Sequence, residues 1–126
     1  MVNIEYINPG TPVAGPYSPA TKVGNLIFVS GQAPAIGTNT IEEQTLSTLK
    51  NIKKILETIG AKISNIVKIS IFLKNIKDFD KMNQIYRNFF ENNGVSQKKF
   101  PARTTVEVSN LPINGMLIEI DAIAAI

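Results

Sequence analysis

Pro101-Ala102-Arg103-Thr104-Thr105-Val106-Glu107-Val108 is the stretch on which the fold turns. Small, β-branched and charged residues alternate there, with proline only at its head, so it reads as a strand. Period two puts Arg103, Thr105 and Glu107 on one face and Thr104, Val106 and Val108 on the other. A second such pattern follows in Leu117-Ile118-Glu119-Ile120-Asp121, where Leu117, Glu119 and Asp121 share a face opposite Ile118 and Ile120. The two strands, at roughly 102 to 108 and 116 to 124, are joined by a turn containing Asn110, Pro112, Asn114 and Gly115. Paired as a hairpin, they bring Arg103 and Glu119 close enough to share one ligand. The same spacing fits a plain cross-strand ion pair, worth about 0 to 1 kcal/mol if exposed.

Upstream, Gly24-Asn25 between Thr21–Val23 and Leu26–Ser30 signals a tight hairpin. Residues 8 to 20 hold four prolines and two glycines and form a stiff loop rather than a helix. Thr40 and Glu43 make a capping box that opens a helix with a stripe of Leu46, Leu49, Ile52, Leu56 and Ile59, ended by Gly60. Ile66 to Leu73 reads as a strand with Val67, Ile69, Ile71 and Leu73 on one face and Lys68 and Ser70 on the other. A second helix starts near Asp78, buries Phe79, Met82, Ile85, Tyr86, Phe89 and Phe90, and stops at Asn92-Asn93-Gly94. The order strand, strand, helix, strand, helix, strand, strand predicts an α+β sandwich, with both helices on one face of a sheet. Ala122-Ile123-Ala124-Ala125-Ile126 carries no polar side chain, which predicts burial in the core or against another subunit.

Composition narrows the chemistry. The 126 residues fit one domain, 1–126, and contain no cysteine and no histidine. That excludes disulfide frameworks, Cys-His and Ser-His-Asp nucleophiles, zinc clusters and haem ligation. Nor is there a Gly-rich phosphate loop or a nucleophile elbow. Net charge is +3, but the lysines are scattered, with only Lys50, Lys53, Lys54 and the pair Lys98-Lys99 grouped, which is a weak nucleic-acid signal. The N-terminus lacks a basic stretch followed by an apolar core, and no apolar run approaches the roughly 20 residues that span a bilayer, so a cytoplasmic protein is expected. Arginine is rare: only Arg87 and Arg103 stand beside eleven lysines. A rigid, permanently charged fork inside a strand suits bidentate grip of a carboxylate or phosphate.

Several blocks carry a resemblance. Pro101 to Val108, with Leu111-Pro112 and Ile118-Glu119-Ile120-Asp121-Ala122, resembles the signature of the Rid family, the reactive intermediate (enamine/imine) deaminases. So do Gly15-Pro16-Tyr17-Ser18-Pro19-Ala20, Val29-Ser30-Gly31-Gln32, Ile41-Glu42-Glu43-Gln44-Thr45, Val67-Lys68-Ile69 and Met82-Asn83-Gln84-Ile85-Tyr86, in family order along nearly the whole chain. The resemblance implies a chorismate-mutase-like α+β subunit, a homotrimer with a cleft at each subunit interface, no cofactor, and hydrolysis of 2-aminoacrylate and related 2-imino acids to 2-keto acids and ammonia, a detoxification of reactive metabolites.

By position, the resemblance makes Arg103 the carboxylate anchor. Glu119 becomes the group that holds or activates water and returns a proton to nitrogen, although an adjacent arginine lowers a carboxylate's pKa and weakens it as a base. Tyr17 would close over the substrate from a neighbouring subunit, Ser30 and Gly31 would present a hydroxyl and open backbone, and Asn83 and Thr105 would line the cleft. Thr105 stands where some members have cysteine, so no thiol activity is expected there. The loop between Gln32 and Glu42 is shorter than usual in the family and that from Asn92 to Phe100 longer. Two other functions stay open: a ligand sensor or regulatory partner using the same cleft without turnover, and RNA cleavage leaning on Lys50, Lys53 and Lys54.

Overall fold

The structure is a computed structural model that describes residues 1–10 and 12–126; Thr11, in the proline-rich loop, lies outside the described residues. Eight principal elements follow one another: β1 (Ile4–Ile7), β2 (Ala20–Val23), β3 (Leu26–Gln32), α1 (Ile41–Glu57), β4 (Ile66–Leu73), α2 (Phe79–Asn92), β5 (Ala102–Glu107) and β6 (Ile118–Ala125). They form one six-stranded sheet in the order β1-β2-β3-β6-β4-β5. The expected α+β architecture with two helices is present, with one strand more than the sequence reading counted. β1 was missed because Ile4-Glu5-Tyr6-Ile7 is too short to display a period, and it is defined by its antiparallel pairing with β2.

Two local signals have clear counterparts, whereas Asp78 heads α2 without a side-chain cap bond. Gly24 turns β2 into β3 at φ +58°, a value glycine adopts without a Cβ penalty. Thr40 Oγ1 accepts from Glu43 N at 3.1 Å while Glu43 Oε1 accepts from Thr40 N at 3.2 Å, closing the capping box at the head of α1. These bonds hold the Glu43 carboxyl below its ordinary pKa, the backbone N–H of Asn39 contributing most.

The inward face of the sheet and the two helices enclose one apolar cluster. Ile27, Leu49, Ile52, Leu56, Ile69, Ile71, Leu73, Met82, Phe90, Ile118 and Ile120 are sealed from solvent in it. Each such side chain contributes about 1.5–3 kcal/mol by leaving water. The α1 stripe is displaced from the expected one: Leu46 is exposed, while Gln44, Thr45 and Thr48 are buried. Gln44 is tolerated because both ends of its amide are used. Its Nε2 donates to Thr38 O and Gly115 O, and its Oε1 accepts from Leu117 N at 2.7 Å. This polar pin ties α1 to the start of β6.

Two further expectations are corrected. Val67 is exposed and Ile66 is buried in its place, because β4 carries an extra residue against β6 between Ile66 and Lys68. On α2, Phe79 is partly exposed and Ile85 half-buried, so the face that packs is narrower and centred on Met82, Tyr86, Phe89 and Phe90.

The larger correction concerns the last two strands, which do not form a hairpin. β5 runs parallel to β4, with Ile69 opposite Arg103, while β6 runs antiparallel to both β3 and β4, with Phe72 opposite Glu119. β4 therefore lies between β5 and β6. A helical crossover delivers β5 to β4 in parallel, which a tight turn cannot do. At the C-terminus, Ala122 and Ala124 join the core, whereas Ile123 and Ala125 lie half-buried on the outer face and Ile126 is exposed.

Candidate functional site

The sheet divides the sequence-derived site residues into two groups. Arg103 and Thr105 pair with Ile69 and Ile71, both buried under the helices, so they occupy the helix-side face. Glu119 pairs with Phe72 and Asp121 with Ser70, positions that alternate to the outer face. Separated by a strand and by the sheet itself, Arg103 and Glu119 stand more than about 10 Å apart at strand spacing. Neither the ion pair nor the shared ligand expected of a hairpin exists within one chain.

The outer group gathers around a bulge. Between Val29 and Gln32, β3 has one residue more than β6 opposite it, and Ser30-Gly31 sits at that irregularity. Ser30 is held by its N–H to Pro19 O at 3.0 Å and by its hydroxyl, which donates to Ser18 O at 2.6 Å and leaves lone pairs free. Gly31 faces Glu119 so closely that a Cβ there would collide with the carboxylate. Glycine is needed at this point for the approach itself. Tyr17 is exposed; its hydroxyl accepts from Ala14 N at 3.3 Å, and with Gly31 it lines a cleft of about 340 Å³ walled by the proline-rich loop, Asn51, Lys54 and Ile55.

Partial burial raises the Glu119 pKa above the ordinary 4.5, and Asp121 beside it acts the same way. The depression expected from an adjacent arginine is absent, because Arg103 is on the other face. The carboxyl is thus shifted toward the range in which it exchanges protons near neutral pH.

The helix-side group is built on α2. Spacing of i, i+4 and i+7 puts Phe79, Asn83 and Tyr86 on one face of that helix, above β5. The Arg103 guanidinium lies over the Tyr86 ring at 4.8 Å and near the Phe79 ring at 5.7 Å. Tyr86 is itself fixed by Phe90 and Phe100, with ring centroids at 4.6 and 6.3 Å. Burial pushes its phenol up to about 12, so it stays protonated, and burial lowers the Arg103 pKa. Arg103 is partly stripped of water yet offers its donors, which strengthens whatever acceptor it meets. Asn83 Oδ1, Tyr86 OH and Thr105 Oγ1 are buried with no hydrogen-bond partner. Asn83, Tyr86 and Arg103 line a second cleft of about 250 Å³ together with Arg87, Phe100 and Pro101.

Sequence reading assigned Tyr86 and Phe79 to the core alone and gave Arg87 no role. The aromatic platform had a signal, aromatic positions one and two turns around Asn83, but only the parallel β4–β5 pairing slides Arg103 beneath it. Among the described residues no three His, Cys, Asp or Glu side chains converge as a metal site, and no helix is long and apolar enough to cross a membrane.

A mixed six-stranded sheet backed by two helices is the chorismate-mutase-like α+β architecture, and comparison with known proteins refines the class. Residues 10–126 match the family described as Endoribonuclease L-PSP. A RutC family protein of Pyrococcus abyssi is 48% identical over 116 residues, covering 87% of this chain and 86% of that protein. A protein of Dermatophagoides farinae named 2-iminobutanoate/2-iminopropanoate deaminase is 38% identical over 126 residues, covering 92% and 93%. The crystal structure of a conserved Rid family protein from Yersinia pestis superimposes with TM-score 0.85 at 38% identity, over 98% of this chain and all of the other. The chain belongs to the Rid family, also described as the L-PSP family.

Proposed function

We propose that the protein is a 2-iminobutanoate/2-iminopropanoate deaminase acting as a homotrimer, with its active sites between subunits. One observation carries the reading: Arg103 and Glu119 lie on opposite faces of one sheet, so a site that uses both needs two copies of the chain. The outer face supports such an assembly. Among the described residues no helix covers it, and Leu26, Phe28 and Val106 are all exposed on it. Because β5 is an edge strand, packing the outer face of one copy against the β5 edge of the next would bury that apolar surface and set the Glu119, Gly31, Ser30 and Tyr17 group of one subunit against the Arg103, Asn83 and Thr105 group of the next.

In this site the substrate is R–C(=NH)–COO⁻. Arg103 binds the carboxylate by two parallel hydrogen bonds and holds C2 near Glu119. Glu119 takes a proton from water as its oxygen attacks C2 and the C=N bond becomes C–N. It gives that proton to the nitrogen, leaving a neutral carbinolamine. The second proton then passes from the new hydroxyl through Glu119 to the amine as the C–N bond breaks and the C=O bond forms, and the 2-keto acid and ammonia leave. The imine is already electrophilic, so positioning and one proton shuttle suffice without a covalent intermediate. Tyr17 on its stiff loop excludes bulk water, and Gly31, lacking a Cβ, lets the Glu119 carboxylate come in against the bulge. No cofactor takes part.

The test is direct. 2-Aminoacrylate generated in place by a serine dehydratase should disappear faster with the protein than without it, and Arg103→Ala should abolish the acceleration. Absence of acceleration by the wild type would sink the reading. The family description supports a second reading, RNA cleavage, in which Lys50, Lys53 and Lys54 on α1 bind phosphate. It predicts cleavage that falls steeply with salt and survives Arg103→Ala, in a preparation freed of contaminating nuclease. Binding of keto acids through Arg103 without any turnover would instead mark a sensor.

A further inference from the structure

Both arginines of the chain line the same 250 Å³ cleft. Arg103 enters from β5, half-buried over Tyr86, and Arg87 enters from α2, exposed at the rim one turn beyond Asn83. The other walls are Asn83, Tyr86, Phe100 and Pro101, and no carboxylate is among the described residues that line it. Two guanidinium groups facing one small cavity without a counter-charge repel each other, and low-dielectric walls strengthen the field they set up. In a chain that otherwise uses lysine for its positive charge, this placement asks for an anion.

The remaining features describe what the anion carries. Asn83 Oδ1 and Tyr86 OH are buried without partners, an unsatisfied acceptor and an unsatisfied donor on two of the residues that line this cleft with Arg103. A carboxylate on Arg103 accepts from the Tyr86 hydroxyl, whose raised pKa keeps its proton in place. Phe100 and Pro101 supply an apolar wall for a short methylene chain. Arg87, exposed on the same lining, offers a second guanidinium for a second acid group. The volume is below the range usual for drug-sized ligands and suits a small metabolite.

Building on the deaminase reading, we propose that this protein prefers dicarboxylic substrates: 2-imino acids with a distal carboxylate, anchored by Arg103 at C1 and by Arg87 at the far end. The enzyme class that supplies such imines is an oxidase or dehydrogenase acting on acidic amino acids, which leaves a C=N bond at C2 beside an intact side-chain acid.

Calorimetric titration with two five-carbon keto acids, 2-oxoglutarate and 2-oxopentanoate, isolates the distal carboxylate from chain length. Wild-type protein should bind 2-oxoglutarate roughly 5- to 20-fold more tightly, the range expected of one charge-assisted contact at a partly solvated site. In Arg87→Gln the ratio should collapse to about 2 or less, and in Arg87→Lys it should be partly kept. Equal affinities in the wild type, a preference that persists in Arg87→Gln, or no binding of either acid at millimolar concentration overturns the proposal. Turnover of 2-iminobutanoate, measured separately, keeps the two readings apart. A diacid preference without turnover leaves the binding inference standing and removes the deaminase. Turnover without the preference does the reverse.

Discussion

The two halves of the candidate site are built by different means. Around Glu119 the geometry belongs to the backbone: a bulge in β3, a glycine that permits close approach, and a loop stiffened by proline and pinned through Ser30 to Ser18 O and Pro19 O. Around Arg103 it belongs to side-chain packing, a guanidinium resting on Tyr86 and Phe79 and shielded by Phe100 beyond. In the deaminase we propose, the first half would orient water and move a proton, for which distances set by hydrogen bonds matter most. The second would grip a carboxylate, for which partial dehydration of the cation matters more. Keeping them on opposite faces also keeps Glu119 away from a permanent positive charge within its own subunit, so burial and Asp121 are free to raise its pKa.

The largest effect should come from removing either anchor. Arg103→Ala and Glu119→Gln are each expected to lower kcat/KM for imine hydrolysis by about 10³-fold or more, with the assembly intact by sedimentation. Mixing the two inactive variants then breaks or confirms the division. Trimers reassembled from equal amounts recover activity in about one quarter of their sites if each site spans two subunits, and in none if it lies within one. Stopped-flow assays before and after reassembly decide between them.

Next in size is Gly31→Ala. Its methyl group must displace the Glu119 carboxylate, and a shift of that order is expected to cost about 10²-fold in turnover while leaving keto-acid binding nearly unchanged. A loss of affinity instead would mean that the two halves are not separable.

The pH profile gives a smaller effect of defined sign. In the proposed role Glu119 is a base in its ionised form, so activity should fall as pH drops through its pKa. Burial and Asp121 raise that pKa within the subunit, and an acid limb above the ordinary 4.5 would mean that they outweigh the Arg103 of the neighbouring subunit. Because the folded pKa is raised, this group's contribution to stability is fully present below the unfolded pKa and is lost as pH rises through the folded one. Thermal melts should therefore show Glu119→Gln slightly more stable than wild type at neutral pH, with no gain at pH 4.

The smallest expected effect is that of Tyr86→Phe. The hydroxyl has no partner, so stability of the unliganded protein should hold or rise slightly, while affinity for a 2-keto acid should drop about 3- to 10-fold. Tyr86→Leu, which removes the platform as well, should weaken binding further. Equal losses in the two variants would remove the ring from the support of Arg103.

Local chemistry was legible along the chain. The Gly24 turn, the Thr40–Glu43 box, the span of β4 and the alternation of β5 and β6 all depend on residues a few positions apart, and each formed as read. The resemblance to the Rid family was legible for the same reason, since its blocks are short and contiguous. The extra residues in β3 and β4 were not, because a bulge is defined by the partner strand and leaves no periodic mark of its own. Leu46 and Val67 were misplaced by this kind of limit: period says that a face is apolar, and the neighbouring element decides which residues of it are covered.

By itself the sequence determined which side chains were available for chemistry, where all the elements but β1 lie, and that Arg103 and Glu119 each sit on an alternating strand. Only the tertiary structure decided that β4 intervenes between those strands, that the two charges face opposite sides of the sheet, and that Arg103 lies on Tyr86 in a cleft shared with Arg87. Alternation along a strand is a property of one backbone, whereas strand order and face are set by what the helices cover. That choice depends on burying Ile69, Ile71 and Leu73 beneath α1 and α2, and no window of neighbouring residues contains it.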